Sequence, residues 1–309
     1  MRLLPIFALA LVGLLAACAE PPPNSAGACQ LERRGVFQLD FVRGMPIIAV
    51  TMDGAPATLL FDTGASTTTL SAVAAERLKL LRNGNMRITS HGVGGRTDAI
   101  AASVGNFDLA GASLPNRTVM VLPFELRGFG ASPPDGLLGF DVFSLFDTEV
   151  DLKTGQGVFY RARNCPSAPA PWPLASNRFA IPAETPSGKL HIDVELDGKH
   201  LVATVDTGAG GSLLSAAAAT ALGITEAELA TARSIDGHGV APNDAKMRVH
   251  RFKRLRIGNQ IVNNPELPIV ELPPGAGDML IGMNFLATRK LWISLSSRTL
   301  HISAAQPRQ

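Results

Sequence analysis

The sequence predicts an all-β fold made of two lobes, each a copy of one barrel-like unit, with only short helices. Three observations carry this. Residues 44–80 and 188–224 align without a gap, the mark of an internal duplication. Each half consists of short alternating apolar runs punctuated by turn residues. A stretch rich in Pro and Ala, residues 164–177, separates the halves and reads as a linker.

Taken in chain order, the first element is a targeting segment. Arg2 precedes an apolar run over residues 3–17, too short for a comfortable membrane span. The expected organisation is a signal segment at 1–17, a tether at 18–35 containing the prolines of 21–23, a lobe at 36–160, a linker at 161–179 and a second lobe at 180–304. Within the first lobe, "GMPIIAVTMDGAPATLLFDTGAST" reads as a strand, an Asp53-Gly54 turn and a second strand ending at Asp62. "GKLHIDVELDGKHLVATVDTGAGG" repeats this, with Asp197-Gly198 and Asp206 at the matching places. A short Ala-rich helix follows each, at 72–80 and 216–222. "HGVGG" (91–95) matches "HGVAP" (238–242), and "DGLLGFDVF" (135–143) matches "DMLIGMNFL" (278–286). Another short helix is expected near 142–146, and strand-like runs at 148–160 and 290–303.

Composition excludes several classes. The chain has 309 residues, 46% of them hydrophobic, enough for two domains with a sizeable core. A net charge of +2 without a long basic run gives no electrostatic basis for binding nucleic acid. "RFKRLR" (251–256) alternates basic and apolar residues and is expected to be one strand with a solvated face. There is no His-Glu-x-x-His and no Cys/His cluster, so neither metal nor cofactor is expected. The glycines at 208–211 lack the lysine and spacing of a phosphate loop, and no Gly-x-Ser-x-Gly occurs. His91 and His238 both precede Gly-Val; structural hydrogen bonds are expected of them.

Two acidic residues stand out. Asp62 and Asp206 each end an apolar strand, where an ionised carboxylate is costly unless paired or neutralised. Each opens the motif Asp-Thr-Gly-Ala, and each half then supplies apolar-apolar-Gly, at Leu137-Leu138-Gly139 and Leu280-Ile281-Gly282. This pattern resembles that of the aspartic proteases, and "GVGG" with "LIGMNFL" is similar to the retropepsin branch. The resemblance covers residues 36–160 and 180–304 and implies the two-lobed acid-protease fold. It implies that Asp62 and Asp206 are catalytic, sharing one proton because two such close carboxylates cannot both ionise. Thr63 and Thr207 would lock the two loops together. Gly64 and Gly208 would let backbone approach the carboxylates. Ala65 and Ala209 replace the Ser or Thr usual in pepsins, so a hydrogen bond to the charged form is missing and the pair should protonate more readily. Gly92, Val93, Gly94 and Gly95 would form a flap over an extended polypeptide substrate, supplied by the first lobe only. One chain with internal pairing of its lobes is the expected monomer; pairing between chains is the alternative. A catalytically inactive peptide- or partner-binding lipoprotein on the same fold is the other reading.

The N-terminal segment ends in "LAAC" (15–18), which resembles the lipobox of bacterial lipoproteins. That implies cleavage before Cys18, lipid on its thiol, and anchorage to a membrane of the cell envelope facing the periplasm or the exterior. Ala19 after the cysteine is similar to the outer-membrane sorting pattern. Cys29 and Cys165 then remain as an even pair in an oxidising compartment, either bridged or as two free thiols.

Overall fold

The computed structural model describes residues 29–165, 170–172, 175–182, 188–239 and 244–307. The targeting segment, Cys18 and the prolines of 21–23 lie outside the described residues, as does part of the stretch read as a linker.

The first half runs β1 (Gln30–Val42), β2 (Met45–Met52), β3 (Ala55–Phe61), β4 (Thr69–Ser71), α1 (Ala72–Arg77), β5 (Leu81–Gly92) and β6 (Gly95–Leu109). It continues through β7 (Ala112–Leu122), β8 (Gly136–Leu138), α2 (Phe140–Phe143), β9 (Asp147–Asp151) and β10 (Gln156–Arg163). The second half runs β11 (Ser176–Ala180), β12 (His191–Leu196), β13 (Lys199–Val205), β14 (Leu213–Ser215), α3 (Ala216–Ala221), α4 (Glu226–Thr231) and β15 (Ser234–Gly237). It continues through β16 (Ala245–Arg251), β17 (Arg254–Ile257), β18 (Gln260–Asn263), β19 (Glu266–Val270), β20 (Met279–Ile281), α5 (Met283–Leu286), β21 (Lys290–Ser294) and β22 (Thr299–Ser303).

The duplication is visible bond by bond. Asp53 and Gly54 have φ of 51° and 81°, and Asp197 and Gly198 have 49° and 85°; positive φ at both central residues marks the tight hairpin turn the Asp-Gly pairs predict. In each lobe the strand ahead of the Asp-Thr-Gly loop pairs in parallel with the apolar-apolar-Gly strand, β3 with β8 and β13 with β20. That strand also pairs antiparallel with the one after the loop, β4 or β14, so the loop projects from the centre of a sheet. Ser71 and Ser215 cap α1 and α3, each hydroxyl accepting from the amide three residues on at 3.0 Å.

The lobes join through a shared sheet in the order β11-β22-β21-β9-β10-β1. The crossing is the antiparallel pairing of β9 with β21, Asp151 opposite Lys290 and Thr148 opposite Ile293. β1 feeds both layers: Gln30–Gln38 pairs with β10, and Leu39–Val42 turns into the first lobe against β2. A disulfide between Cys29 and Cys165, Cα atoms 4.4 Å apart, fastens the ends of β1 and β10. Cys165 packs with Trp172 and Trp292 there. A single apolar core spans both halves, with Phe61, Phe143 and Phe159 fully buried.

Several local expectations need correction. The helix read at 72–80 stops at Arg77, because Lys79 turns left-handed (φ 55°) and carries Leu80 back into the core. The one read near 142–146 begins earlier, at Phe140, directly after the strand glycine. "RFKRLR" is not one strand: β16 ends at Arg251 and β17 starts at Arg254. Phe252 is buried at the break, and Asp197 accepts from the amides of Lys253 and Arg254 at 2.9 and 2.8 Å. β11 occupies the end of the stretch read as a linker, and β1 begins inside the stretch read as a tether. α4 was not expected, although its Thr225-x-x-Glu228 capping box is printed in the sequence. Among the described residues, no helix is long and apolar enough to cross a membrane.

Candidate active site

The two Asp-Thr-Gly loops meet where the lobes face each other. The threonines bind reciprocally. The Thr63 amide donates to the Thr207 hydroxyl at 3.1 Å, and the Thr207 amide to the Thr63 hydroxyl at 3.0 Å. Each hydroxyl then donates across to a strand of the other lobe, Thr63 to the Val205 carbonyl at 2.7 Å and Thr207 to the Phe61 carbonyl. Both residues are fully buried, so every bond in this crossing forms away from competing water.

Above this crossing lie the carboxyl groups of Asp62 and Asp206, each packed against the glycine of the other loop. Asp62 is only 8% exposed and Asp206 is half-buried. The Gly64 and Ala65 amides donate to one Asp62 oxygen at 2.9 and 3.0 Å, and the Gly208 amide to Asp206 at 2.9 Å. Close approach explains the glycines: a Cβ on Gly64 would stand 2.4 Å from the Asp206 carboxyl carbon, and one on Gly208 2.3 Å from that of Asp62. Burial, followed by the charge of Asp206, pushes Asp62 well above the usual carboxylate range. Burial also raises Asp206, opposed by its hydrogen bonds with Asp62 and Gly208 and by the charge of Lys189. Such a pair takes up and releases protons as a unit.

Each loop is braced from behind by a pair of residues that sequence reasoning aligned but gave no task. Asp141 accepts from the Thr68 amide and hydroxyl at 2.8 and 2.7 Å. Its counterpart Asn284 accepts from the Ser212 amide and hydroxyl at 2.9 and 2.8 Å. The same hydroxyls accept from the amides of Gly139 and Gly282, both at 3.1 Å. The signal was the Gly-x-Asp and Gly-x-Asn ending of the third repeat.

The carboxyls open into a cleft of about 570 Å³ between the lobes, of the size that holds a ligand. Of the expected flap residues, Gly92 and Val93 line it, while Gly94 and Gly95 complete the turn joining β5 to β6. Val93 packs against an apolar cluster of the second lobe that includes Met247 and Val270, and its carbonyl abuts Gly239. The second lobe also reaches the cleft, with Gly237 at the end of β15 and His238 and Gly239 beyond it. The described lining of the cleft thus comes from both lobes, with the expected first-lobe hairpin on one side. His238 binds Asp244 at 2.7 Å, and Asp244 also pairs with Arg127 of the first lobe at 2.8 Å, which ties the lobes together above the cleft. Arg127, His238 and Lys189 were not singled out as lining residues from the sequence, although His238 opens a repeated motif and Lys189 lies within the duplication; the fold brings all three to the cleft. Among the described residues, no group of three or more His, Cys, Asp or Glu is placed to hold a metal ion.

The family model for aspartyl proteases matches the chain twice, over residues 48–142 and 192–285. The two matches cover more than half of the 309 residues and coincide with the two lobes. The chain therefore belongs to the aspartyl protease family, in a duplicated, single-chain form. Comparison with curated proteins finds no match.

Proposed function

We propose that the protein is an aspartic endopeptidase that hydrolyses peptide bonds of an extended polypeptide, working as a monomer whose two lobes supply one carboxylate each. The observation that carries this is the close apposition of Asp62 and Asp206, one from each lobe, with both lining the interlobe cleft. With one proton between them, one carboxylate takes a proton from a bound water while the other carboxyl donates a hydrogen bond to the peptide carbonyl. The water oxygen bonds to the carbonyl carbon as the carboxyl's proton passes to the carbonyl oxygen, giving a tetrahedral diol. Its collapse breaks the C–N bond: the departing nitrogen receives the proton first taken from water, and one diol hydroxyl returns its proton to the other carboxylate. The dyad ends with the one proton it began with.

The remaining residues serve this step. The threonine crossing fixes the distance between the loops, which matters because misplacement by about 1 Å costs on the order of 100-fold in rate. The hairpins meeting at Val93 and Gly239 would exclude water once substrate lies beneath them. The substrate would lie extended, held by backbone hydrogen bonds and side-chain pockets. By its N-terminal segment, the enzyme would be lipid-anchored at Cys18 and face the periplasm or exterior, the outer membrane being the favoured site.

The test is hydrolysis of an unfolded protein substrate, with fragments identified by mass spectrometry, in the presence and absence of a pepstatin-type inhibitor. Endoproteolytic fragments that disappear with the inhibitor support the reading. A folded protein that yields none overturns it in favour of a non-catalytic peptide-binding role.

A further inference from the structure

The alignment that equates Gly44 with Gly188 also equates Met45 with Lys189. Both line the cleft, one from each lobe. Met45 opens β2 and Lys189 stands just ahead of β12, the corresponding strand, so the duplication sets them on opposite sides of the dyad. Their surroundings differ. Met45 belongs to an apolar wall with Leu60, Leu126, Phe129 and Leu137. On the other side, the position equivalent to Leu60 is Thr204, and the wall near the dyad carries an ammonium group in place of a thioether.

That ammonium is incompletely used. Lys189 is half-buried. Among the described residues it makes no ion pair within 4.0 Å and donates no hydrogen bond. Arg127, another basic residue of the described lining, is already matched to Asp244. Among the described residues, no carboxylate apart from the dyad lines the cleft. Burial lowers the affinity of Lys189 for its proton, and the charges of Asp206 and Asp62 oppose this. A partly desolvated cation with free donors is the setting in which an incoming carboxylate gains a charge-assisted hydrogen bond.

Resting on the endopeptidase reading, we propose that Lys189 determines substrate specificity: the cleft takes an apolar side chain on the Met45 side of the scissile bond and an acidic side chain, Asp or Glu, on the Lys189 side. The pseudo-symmetric site would thus read an asymmetric sequence, with one subsite apolar and its twin basic.

Binding of hexapeptides with a non-cleavable hydroxyethylene isostere tests this without requiring turnover. Each carries Leu on one side of the isostere and Glu, Gln or Lys on the other, in both orders. In one order the Glu ligand should bind about tenfold more tightly than the Gln ligand, the worth of one hydrogen bond to a charged group. Lys189→Met should bring that ratio to about one, Lys189→Arg should keep it, and Lys189→Glu should favour the Lys ligand. Equal binding of Glu and Gln ligands in both orders overturns the proposal. So does a ratio unchanged in Lys189→Met, or an equal loss for all ligands, which would place Lys189 as a modulator of the dyad alone. Selective binding of the Glu ligand with no peptide hydrolysis would sink the endopeptidase reading and leave the subsite standing. Hydrolysis with no acidic preference would do the reverse, and failure to bind any isostere overturns both.

Discussion

A single methyl group placed at Gly64 should disable the site while leaving the lobes folded. The Cβ of Gly64→Ala would fall 2.4 Å from the Asp206 carboxyl carbon and 2.6 Å from both its oxygens. Ordinary contact begins near 3.4 Å, so the Asp206 group must retreat by about 1 Å. Retreat is opposed by the Gly208 amide, which holds Asp206 at 2.9 Å, and by the buried threonine crossing below. Overpacking of this kind costs about 1–3 kcal/mol of stability, and displacement by about 1 Å should lower kcat on the order of 100-fold. Gly211→Ala is the matched control: Gly211 lines the same cleft, but nothing lies within 4 Å of its would-be Cβ. The assay is the rate of peptide hydrolysis for both variants beside their thermal unfolding. If Gly64→Ala kept activity within a factor of about three of Gly211→Ala, the two carboxyls would not need the closeness on which the mechanism depends.

Further outcomes follow from the same geometry. Because burial raises the Asp62 carboxyl in the folded state, the folded chain binds that proton more tightly than the unfolded one. The dyad's contribution to stability is then fully present below the unfolded value and is lost as pH rises through the folded value. Asp62→Asn should accordingly raise Tm at pH 7 by a few degrees, since each ~1 kcal/mol relieved lifts Tm by about 2 °C in a chain of this size. The gain should vanish near pH ~4, the ordinary carboxylate range; equal gains at both pH values would contradict the burial argument. Activity should follow a bell in pH with its optimum at roughly pH 5 to 6.5. Ala65→Ser, which adds a hydroxyl beside Asp62, should move the alkaline limb downward, and an unmoved limb would mean that this position does not set the pair's proton affinity. Cys18→Ser should release the protein from the membrane fraction, because lipid on that thiol supplies the apolar anchor; membrane binding with an unchanged N-terminus would refute the lipoprotein reading.

The parts of this structure that could be read from the sequence are those encoded locally or twice. The Asp-Gly turns announce their positive φ in the residues themselves, and the gapless repeat carries the Asp62 loop onto the Asp206 loop. The even cysteine pair left the bridge open, and the pairing of β1 with β10 is what brings Cys29 to Cys165. What escaped depends on contacts distant in the chain. The break between β16 and β17 arises because Asp197 captures amides 56 and 57 residues away, which no alternation of basic and apolar residues reveals. The first lobe uses Asp53 likewise, on the amides of Gly105 and Asn106, yet there β6 runs on unbroken. The bracing by Asp141 and Asn284, the meeting of Val93 with Gly239, and the Arg127–Asp244 pair above the cleft likewise join segments that only the fold makes neighbours. Lys189 is the instructive miss: the repeat itself marks it, as a charged residue where the other copy has Met45.

The most direct test of the shared-proton pair is a comparison of Asp62→Asn and Asp206→Asn, each shown to be folded, in peptide hydrolysis at the pH optimum. Residues that act as one catalytic unit are interchangeable in their loss. The account predicts that either variant loses activity by at least about 1,000-fold and that the double variant loses no more than the worse single one. Substantial activity in either single variant, or losses that multiply in the double variant, would contradict a mechanism in which Asp62 and Asp206 act together on one water.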